Sequence, residues 1–457
     1  MNSFTYSYRF SDINDSSRYF AVDNYRDSES YQACIAVDDR EFLKTGRTIP
    51  ANAADIVDFA VAVAAADRLS ISKDDTRNSI HVVLPVRNPE AFSNSRTSKL
   101  ISDILYWYTG DYWYFSFTKH SGLRRSSESQ ECLPFDLAHT PREVALWSGG
   151  LDALAGLYNR LNQFPETHFT LLGTGSSNIV HNNQKETIVA VERVATFLGR
   201  TKLIRIPIKI TQTIEHQKNR QLRARGFVFL LIGTVCAYIE GQDLLNVYEN
   251  GVGAINLPYR ASEVGLDHAR SVHPISLLDM STLASELLGV RFSLQNPFLF
   301  STKAQMCEQL VNNGMIEMIH KSISCDRLRH EHPMQCGLCS SCLLRRQSLA
   351  VLGVEDPDNY VATAHRDYGQ DSQSFDTSHL RAMVSQVETL RKILSMDNPW
   401  DKLSRRYTTL MDTVDRTAQH QGLSTFAMQQ KLLEMYGRYV TEWDLVGPAI
   451  TSTLAVH

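Results

Sequence analysis

At 457 residues, with 43% hydrophobic and 21% charged residues and a formal net charge of −4, the chain has the composition of a folded protein of two or three domains, and not of one that coats nucleic acid through bulk charge. No apolar run approaches bilayer length and residues 1–12 are polar, so a cytoplasmic protein with no membrane partner is expected. Eight cysteines, four of them clustered, are too few for a disulfide scaffold and fit a reducing compartment.

Residues 1–140 are expected to form an α+β domain of their own, accessory or partner-binding. Aromatic and polar residues alternate over 4–10, which predicts a strand. An Ala/Val-rich helix follows over 52–69, with Ile56, Phe59, Ala60 and Val63 on one face. A strand over 79–86, a helix over 99–107 and an aromatic strand over 112–117 come next. Tyr106, Trp107, Tyr108, Tyr112, Trp113, Tyr114 and Phe115 read as core, with a ligand or peptide groove as the competing reading. The polar run 121–130 is a connector.

The strand predicted over 143–147 runs into Ser148, Gly149 and Gly150, and from Asp152 the apolar residues Leu154, Leu157, Tyr158 and Leu161 mark one helix face. Glycines ahead of a helix start expose unpaired N–H groups at the positive end of the dipole, so the stretch reads as a phosphate cradle. An ordinary Gly-rich turn is the competing reading. The residues resemble the PP-loop family, the N-type ATP pyrophosphatases, whose loop reads Ser-Gly-Gly-x-Asp-Ser/Thr. Ser148, Gly149, Gly150 and Asp152 match, while Ala153 stands where that family has a hydroxyl. The resemblance implies cleavage of ATP between its α and β phosphates, with Leu151 inside the cradle and Mg²⁺ assisted by Asp152.

Strands over 168–172, 202–208 and 243–248 alternate with helices over 185–198 and 226–239, which predicts a doubly wound parallel sheet of Rossmann-like (HUP) type in a domain spanning 141–352. Ligands of such sheets sit beyond the carboxyl ends of the strands, so 148–152, 173–177 and 249–253 share one rim, with adenine near Gly175. In the basic run 218–226, Arg223 and Arg225 are better phosphate ligands than Lys218, because they lie next to the apolar helix and a guanidinium grips bidentately. Glu249 and Asn250 read either as contacts to a heterocycle or as turn residues; His268 and Arg270 lie on a loop over the site as candidate substrate contacts. Lys303 sits in the first turn of a helix capped by Ser301 or Thr302, where the dipole disfavours a cation. That cost points to an anionic partner such as a phosphate, and Asp152 and Lys303 are the candidate catalytic pair.

Cys325-x10-Cys336-x2-Cys339-x2-Cys342 has the spacing of a closed tetrahedral zinc site of structural type. An iron–sulfur cluster is the competing occupant, and His330 and His332 are competing ligands. Cys34, Cys132, Cys236 and Cys307 are isolated. The cluster, with Ser324 ahead of it and Arg345 behind, resembles the zinc motif of the 7-cyano-7-deazaguanine synthase (QueC) family. That resemblance implies ATP-dependent activation of 7-carboxy-7-deazaguanine. The family's Tyr-Gly-Gln-x-His and Asp-x-Ser-Gly-Tyr-Pro-Asp-Cys-Arg segments are absent here. The longer chain looks more like the QueC-like proteins of bacterial antiphage gene clusters, which implies transfer of the activated acyl group to an amine, on a protein substrate or operon partner. Residues 353–457 are expected to be a polar linker and a helical cap, with Leu390, Ile393 and Leu394, then Leu432, Leu433 and Tyr436, as apolar faces. A tRNA-modifying PP-loop enzyme is the alternative within the fold, disfavoured by the acidic charge; a non-catalytic scaffold is the alternative outside it.

Overall fold

The computed structural model describes residues 2–10, 19–26, 29–37, 41–42, 47–71, 77–123, 128, 141–174, 178–212, 222–259, 270–326, 335–356, 360–361 and 378–455. In chain order the first elements are β1 (Asn2–Phe10), β2 (Tyr19–Arg26), β3 (Glu29–Val37), α1 (Ala51–Leu69), β4 (Asn78–Val86), α2 (Pro89–Ser93), α3 (Ser95–Thr109) and β5 (Tyr112–Lys119). They are followed by β6 (Arg142–Trp147), α4 (Leu151–Gln163), β7 (His168–Gly173), α5 (Asn178–Glu192), β8 (Thr201–Arg205), β9 (Ile208–Gln212), α6 (Arg225–Ile239), β10 (Leu244–Asn246), α7 (Gly251–Ile255), α8 (Pro274–Leu288) and β11 (Ser293–Gln295). Helices complete the chain: α9 (Lys303–Asn312), α10 (Ile316–Lys321), α11 (Ser340–Val351), α12 (Ser378–Leu394), α13 (Pro399–Arg406), α14 (Thr409–Thr417) and α15 (Thr425–Ala455).

Two sheets organise the fold. The first is mixed, in the order β5-β4-β1-β2-β3-β9. Along β4 every second residue is buried, so one face of this sheet packs and the other is wetter. The second runs β11-β10-β6-β7-β8 with every pair parallel and helices on both faces, the expected α/β architecture. Between the sheets lie α1 and α6. Both are apolar on nearly all sides and bury nearly all sides, and Phe59 meets Phe227 edge-on at 5.8 Å. The apolar core formed there takes Ile80, Val82 and Leu84 from one sheet and Val144, Leu172 and Leu245 from the other. The opposite face of the parallel sheet packs Ala145, Trp147 and Leu171 against α4, α5 and α9. A third cluster joins α12–α15 to Val252, Ile255, Leu299 and Leu343, so the C-terminal helices pack directly against the rim of the parallel sheet.

Several expectations are corrected. The helix expected over 185–198 spans Asn178–Glu192 instead, and Leu198, expected on its apolar side, is 71% exposed. The strand expected over 202–208 ends at Arg205; Ile208 begins β9, which pairs with β3 in the other sheet. β2, β3, α8 and β11 had no prediction. Tyr112 and Tyr114 are exposed whereas Trp113 is core, as strand alternation requires. No helix among the described residues is long and apolar enough to cross a membrane.

Candidate functional site

The carboxyl ends of β6, β7 and β10 lie side by side, because those strands are neighbours and parallel. Gly149 leaves β6 with φ +76°, a conformation that favours glycine, and a Cβ there would stand 2.9 Å from Asn183 Oδ1. Below the turn Gln184, fully buried, donates from Nε2 to Trp147 O at 2.8 Å and so fixes the end of β6. The Gly150 N–H donates to Ser148 Oγ (3.2 Å) and the Leu151 N–H to Ser324 Oγ (3.3 Å). Further amides of the first turn of α4 have no intrahelical acceptor, as at any helix start.

Asp152 follows in that turn. Its carboxylate takes the Lys303 ammonium at 2.6 Å and the Asn250 amide at 2.9 Å. Lys303 is only 4% exposed. Burial by itself pulls its ammonium down, but the charges of Asp152 and Glu249 outweigh that and hold it above the ordinary lysine range. The anionic partner expected for Lys303 is therefore, within the chain itself, the Asp152 carboxylate. Thr302 is the N-cap of α9 and forms a capping box with Gln305. The Thr302 hydroxyl also donates to Glu442 of α15, whose other oxygen accepts from Gln347 at 3.1 Å. Glu442 is buried, and the sequence held no signal for it.

Asn250 takes the turn role offered for it and adds a link between two carboxylates. It caps α7 by accepting the Gly253 N–H at 2.9 Å, and it bridges Asp152 to Glu249 Oε1 at 2.8 Å. The Glu249 carboxyl is pushed up to about 8, first by desolvation and then by the Asp152 charge, with Lys303 pulling the other way. Asn296, also missed, ties the β10 and β11 ends together by donating to Glu249 O at 2.8 Å. Gly251 has no room for a side chain: a Cβ would overlap Leu299 O and Met435 Sδ, so α15 abuts this loop.

The basic residues separate. Arg225 stays at the rim and donates to Thr174 O at 3.0 Å, beyond the end of β7. Arg223 corrects the expectation: its guanidinium is committed to Asp111 (2.5 Å), Asp67 (3.3 Å) and Thr109 O (2.9 Å), which tie the segment before α6 to α1 and to the turn between α3 and β5. Arg270 likewise donates to Trp107 O and lies 4.0 Å above the Trp107 ring, anchoring its segment to α3. Gly175, Lys218, His268, His330 and His332 lie outside the described residues.

The four sulfurs of Cys325, Cys336, Cys339 and Cys342 lie within 4.8 Å of one another, and Cys336 Sγ is 3.9 Å from Cys342 Sγ. Zn–S bonds of about 2.3 Å in a tetrahedron put the sulfurs about 3.8 Å apart, so the residues fit zinc. The amides of Leu338 and Cys339 donate to Cys336 Sγ and that of Cys336 to Cys325 Sγ, which suits thiolates. Arg345, fully buried, braces the unit on Asp356 (2.7 Å) and on Ser322 O (3.0 Å). Cys236 and Cys307 are free and buried.

A family model described as "Queuosine biosynthesis protein QueC" matches residues 262–353. The chain is similar to the 7-cyano-7-deazaguanine synthase of Cupriavidus necator, 25% identical over 235 residues that are 49% of this chain and all of that protein. It is similar to the enzyme of the same name from Psychrobacter cryohalolentis, 24% identical over 252 residues, 49% of this chain and 92% of that protein. The 7-cyano-7-deazaguanine synthase 2 of Desulfitobacterium hafniense is 31% identical over 90 residues, 20% of this chain and 36% of that protein.

Proposed function

Starting from a chain that is a QueC-like protein of the PP-loop superfamily, we propose that it uses ATP to activate the carboxylate of a 7-deazaguanine, such as 7-carboxy-7-deazaguanine, and forms a carbon–nitrogen bond with an amine. The observation that carries this is the buried Lys303–Asp152 pair beside Glu249, at a helix start that follows a glycine turn and has no side-chain cap. Region 141–352 carries the chemistry. The substrate carboxylate attacks the α phosphorus; pyrophosphate leaves toward Ser148, Gly149, Gly150, Leu151 and Arg225, with Gly175 near the nucleoside. Lys303 neutralises charge developing at the α phosphate. Mg²⁺, where bound, would be held by Asp152 and offset phosphate charge. Glu249, Asn250 and His268 contact the substrate. An amine then captures the acyl-adenylate: the C–N bond forms, the C–O bond to AMP breaks, and the amine gives up a proton. Zinc in the cysteine unit would supply a cross-link and take no part in the reaction.

With ammonia as the amine, the product is the amide that precedes the nitrile in the relatives' names. A second reading, transfer to an amine on a partner protein in antiphage defence, is supported by the half of the chain outside the matched 49%. Incubation with ATP, 7-carboxy-7-deazaguanine and ammonium, followed by assay of pyrophosphate and AMP, tests the shared chemistry; no release of either rejects it. Intact masses of proteins encoded beside this one separate the two acceptors: a deazaguanine-sized gain selects conjugation, a free nitrile the relatives' reaction.

A further inference from the structure

We propose that the Ser324 hydroxyl is a ligand for the leaving pyrophosphate, delivered to the loop by the four-cysteine unit; this rests on the phosphate-loop reading above. Ser324 Oγ accepts the Leu151 N–H at 3.3 Å, so it stands at the cradle and not behind it. Its backbone is held on both sides. The Ile323 N–H donates to Gly149 O at 3.3 Å, and the Ser324 N–H to Gln335 Oε1 at 2.8 Å. Gln335 is buried and directly precedes Cys336; Cys325 directly follows Ser324. Two residues before Ser324, buried Ser322 receives Arg345 on both its carbonyl and its hydroxyl, at 3.0 and 2.8 Å. The segment is thus clamped between the metal ligands and the loop.

A hydroxyl that accepts from one amide keeps a proton to donate. Among the described residues the Ser324 proton has no acceptor. An oxygen of an anion held by the neighbouring amides is an acceptor within reach. Asp326, two residues on, acts electrostatically on both Arg225 and Glu249, so this stretch borders the rim on which the phosphates would lie. Ala153 offers only a methyl in the first turn, and Ser148 and Ser324 are the hydroxyls that meet the loop's amides. Ser324 supplies from a distant point of the chain a group that the loop itself carries once.

The test is calorimetry with inorganic pyrophosphate, ATP and AMP on the full chain, alongside zinc content. Ser324→Ala should bind pyrophosphate and ATP about tenfold more weakly, the scale of one hydrogen bond to a charged group, with AMP affinity and metal content unchanged. Ser324→Thr should retain pyrophosphate affinity and the isosteric Ser324→Val lose it, a comparison that holds even where alanine perturbs folding. Equal pyrophosphate affinity in wild type, Ala and Val overturns the role of Ser324 alone, as does a parallel loss of AMP. A wild-type protein that binds neither pyrophosphate nor ATP overturns the phosphate-loop reading, and this inference with it.

Discussion

Lys303 Nζ lies 2.6 Å from Asp152 Oδ2, joining the first turn of one helix to the first turn of another. Both helix starts carry a positive dipole end, so the carboxylate is stabilised twice and the ammonium is held chiefly by it. Asp152→Asn should therefore act at two levels. Pyrophosphate release should fall about a hundredfold or more, since the charge that organises the loop is gone. Stability should fall by about 3 kcal/mol, because a buried ammonium loses its partner. Lys303→Met should cost a similar amount, and the double variant should recover stability in urea melts without recovering activity. Wild-type turnover in Asp152→Asn rejects the catalytic pair.

Gly149→Ala places a side chain at φ +76° and against Asn183. A cost of about 1–3 kcal/mol is expected, expressed as weaker ATP binding as well as a lower melting temperature, because the strain falls on the cradle. Gly199→Ala, with a similar φ and open space around it, is the control: strain without a clash, and no effect on ATP.

Removing metal should loosen the loop as well as the cysteine unit. Chelation, or Cys339→Ser, should release one zinc per about one chain by mass spectrometry and lower the melting temperature. Amide exchange at Leu151 and Ile323 should quicken, since Ser324 accepts the Leu151 N–H, the Ile323 N–H donates to Gly149 O, and that segment is anchored by the cysteine unit. Unchanged protection at Leu151 would show the two to be independent.

Glu249 makes stability depend on pH in a defined direction. Its carboxyl is raised from an ordinary 4.5 to about 8, so folding takes up a proton between those values. Its contribution is therefore full below about pH 4.5 and is lost as pH rises through about 8. Glu249→Gln, neutral at every pH, should flatten the slope of unfolding free energy between pH 5 and 8, a range set by that raised pKa. A slope unchanged in the variant would assign it to other groups.

Glu442 lets the C-terminal helix bear on the site. Glu442→Ala leaves the Thr302 hydroxyl and the Gln347 amide without their buried acceptor, at a cost of about 2 kcal/mol. Because Thr302 caps the helix whose first residue is Lys303, pyrophosphate release should fall along with the melting temperature. Glu442→Gln, which retains an acceptor, should be milder in both assays.

Much of the parallel sheet was legible because its signals are local. The loop at 148–152, the helix after it and the apolar run of α6 announce themselves through glycine placement and periodicity within a few residues. β11, three residues long, carries too little pattern to be read and exists by pairing with β10, while the strand expected over 243–248 shortens to Leu244–Asn246. Ile208, the first residue of β9, reads as the tail of β8, because a strand's sequence does not say which sheet accepts it.

The same division runs through the site. Sequence alone singled out the loop at 148–152, Asp152, Lys303 and the four cysteines, whose chemistry depends on residue type and short spacing. Tertiary structure alone decided that Lys303 meets Asp152, that Arg223 is spent on Asp67 and Asp111 while Arg225 remains at the rim, and that Ser324 and Glu442 reach the site from 173 and 140 residues away along the chain, measured to Leu151 and Thr302. Which charge neutralises which is set by the packing of sheets and helices, and no periodicity records a contact between residues so far apart.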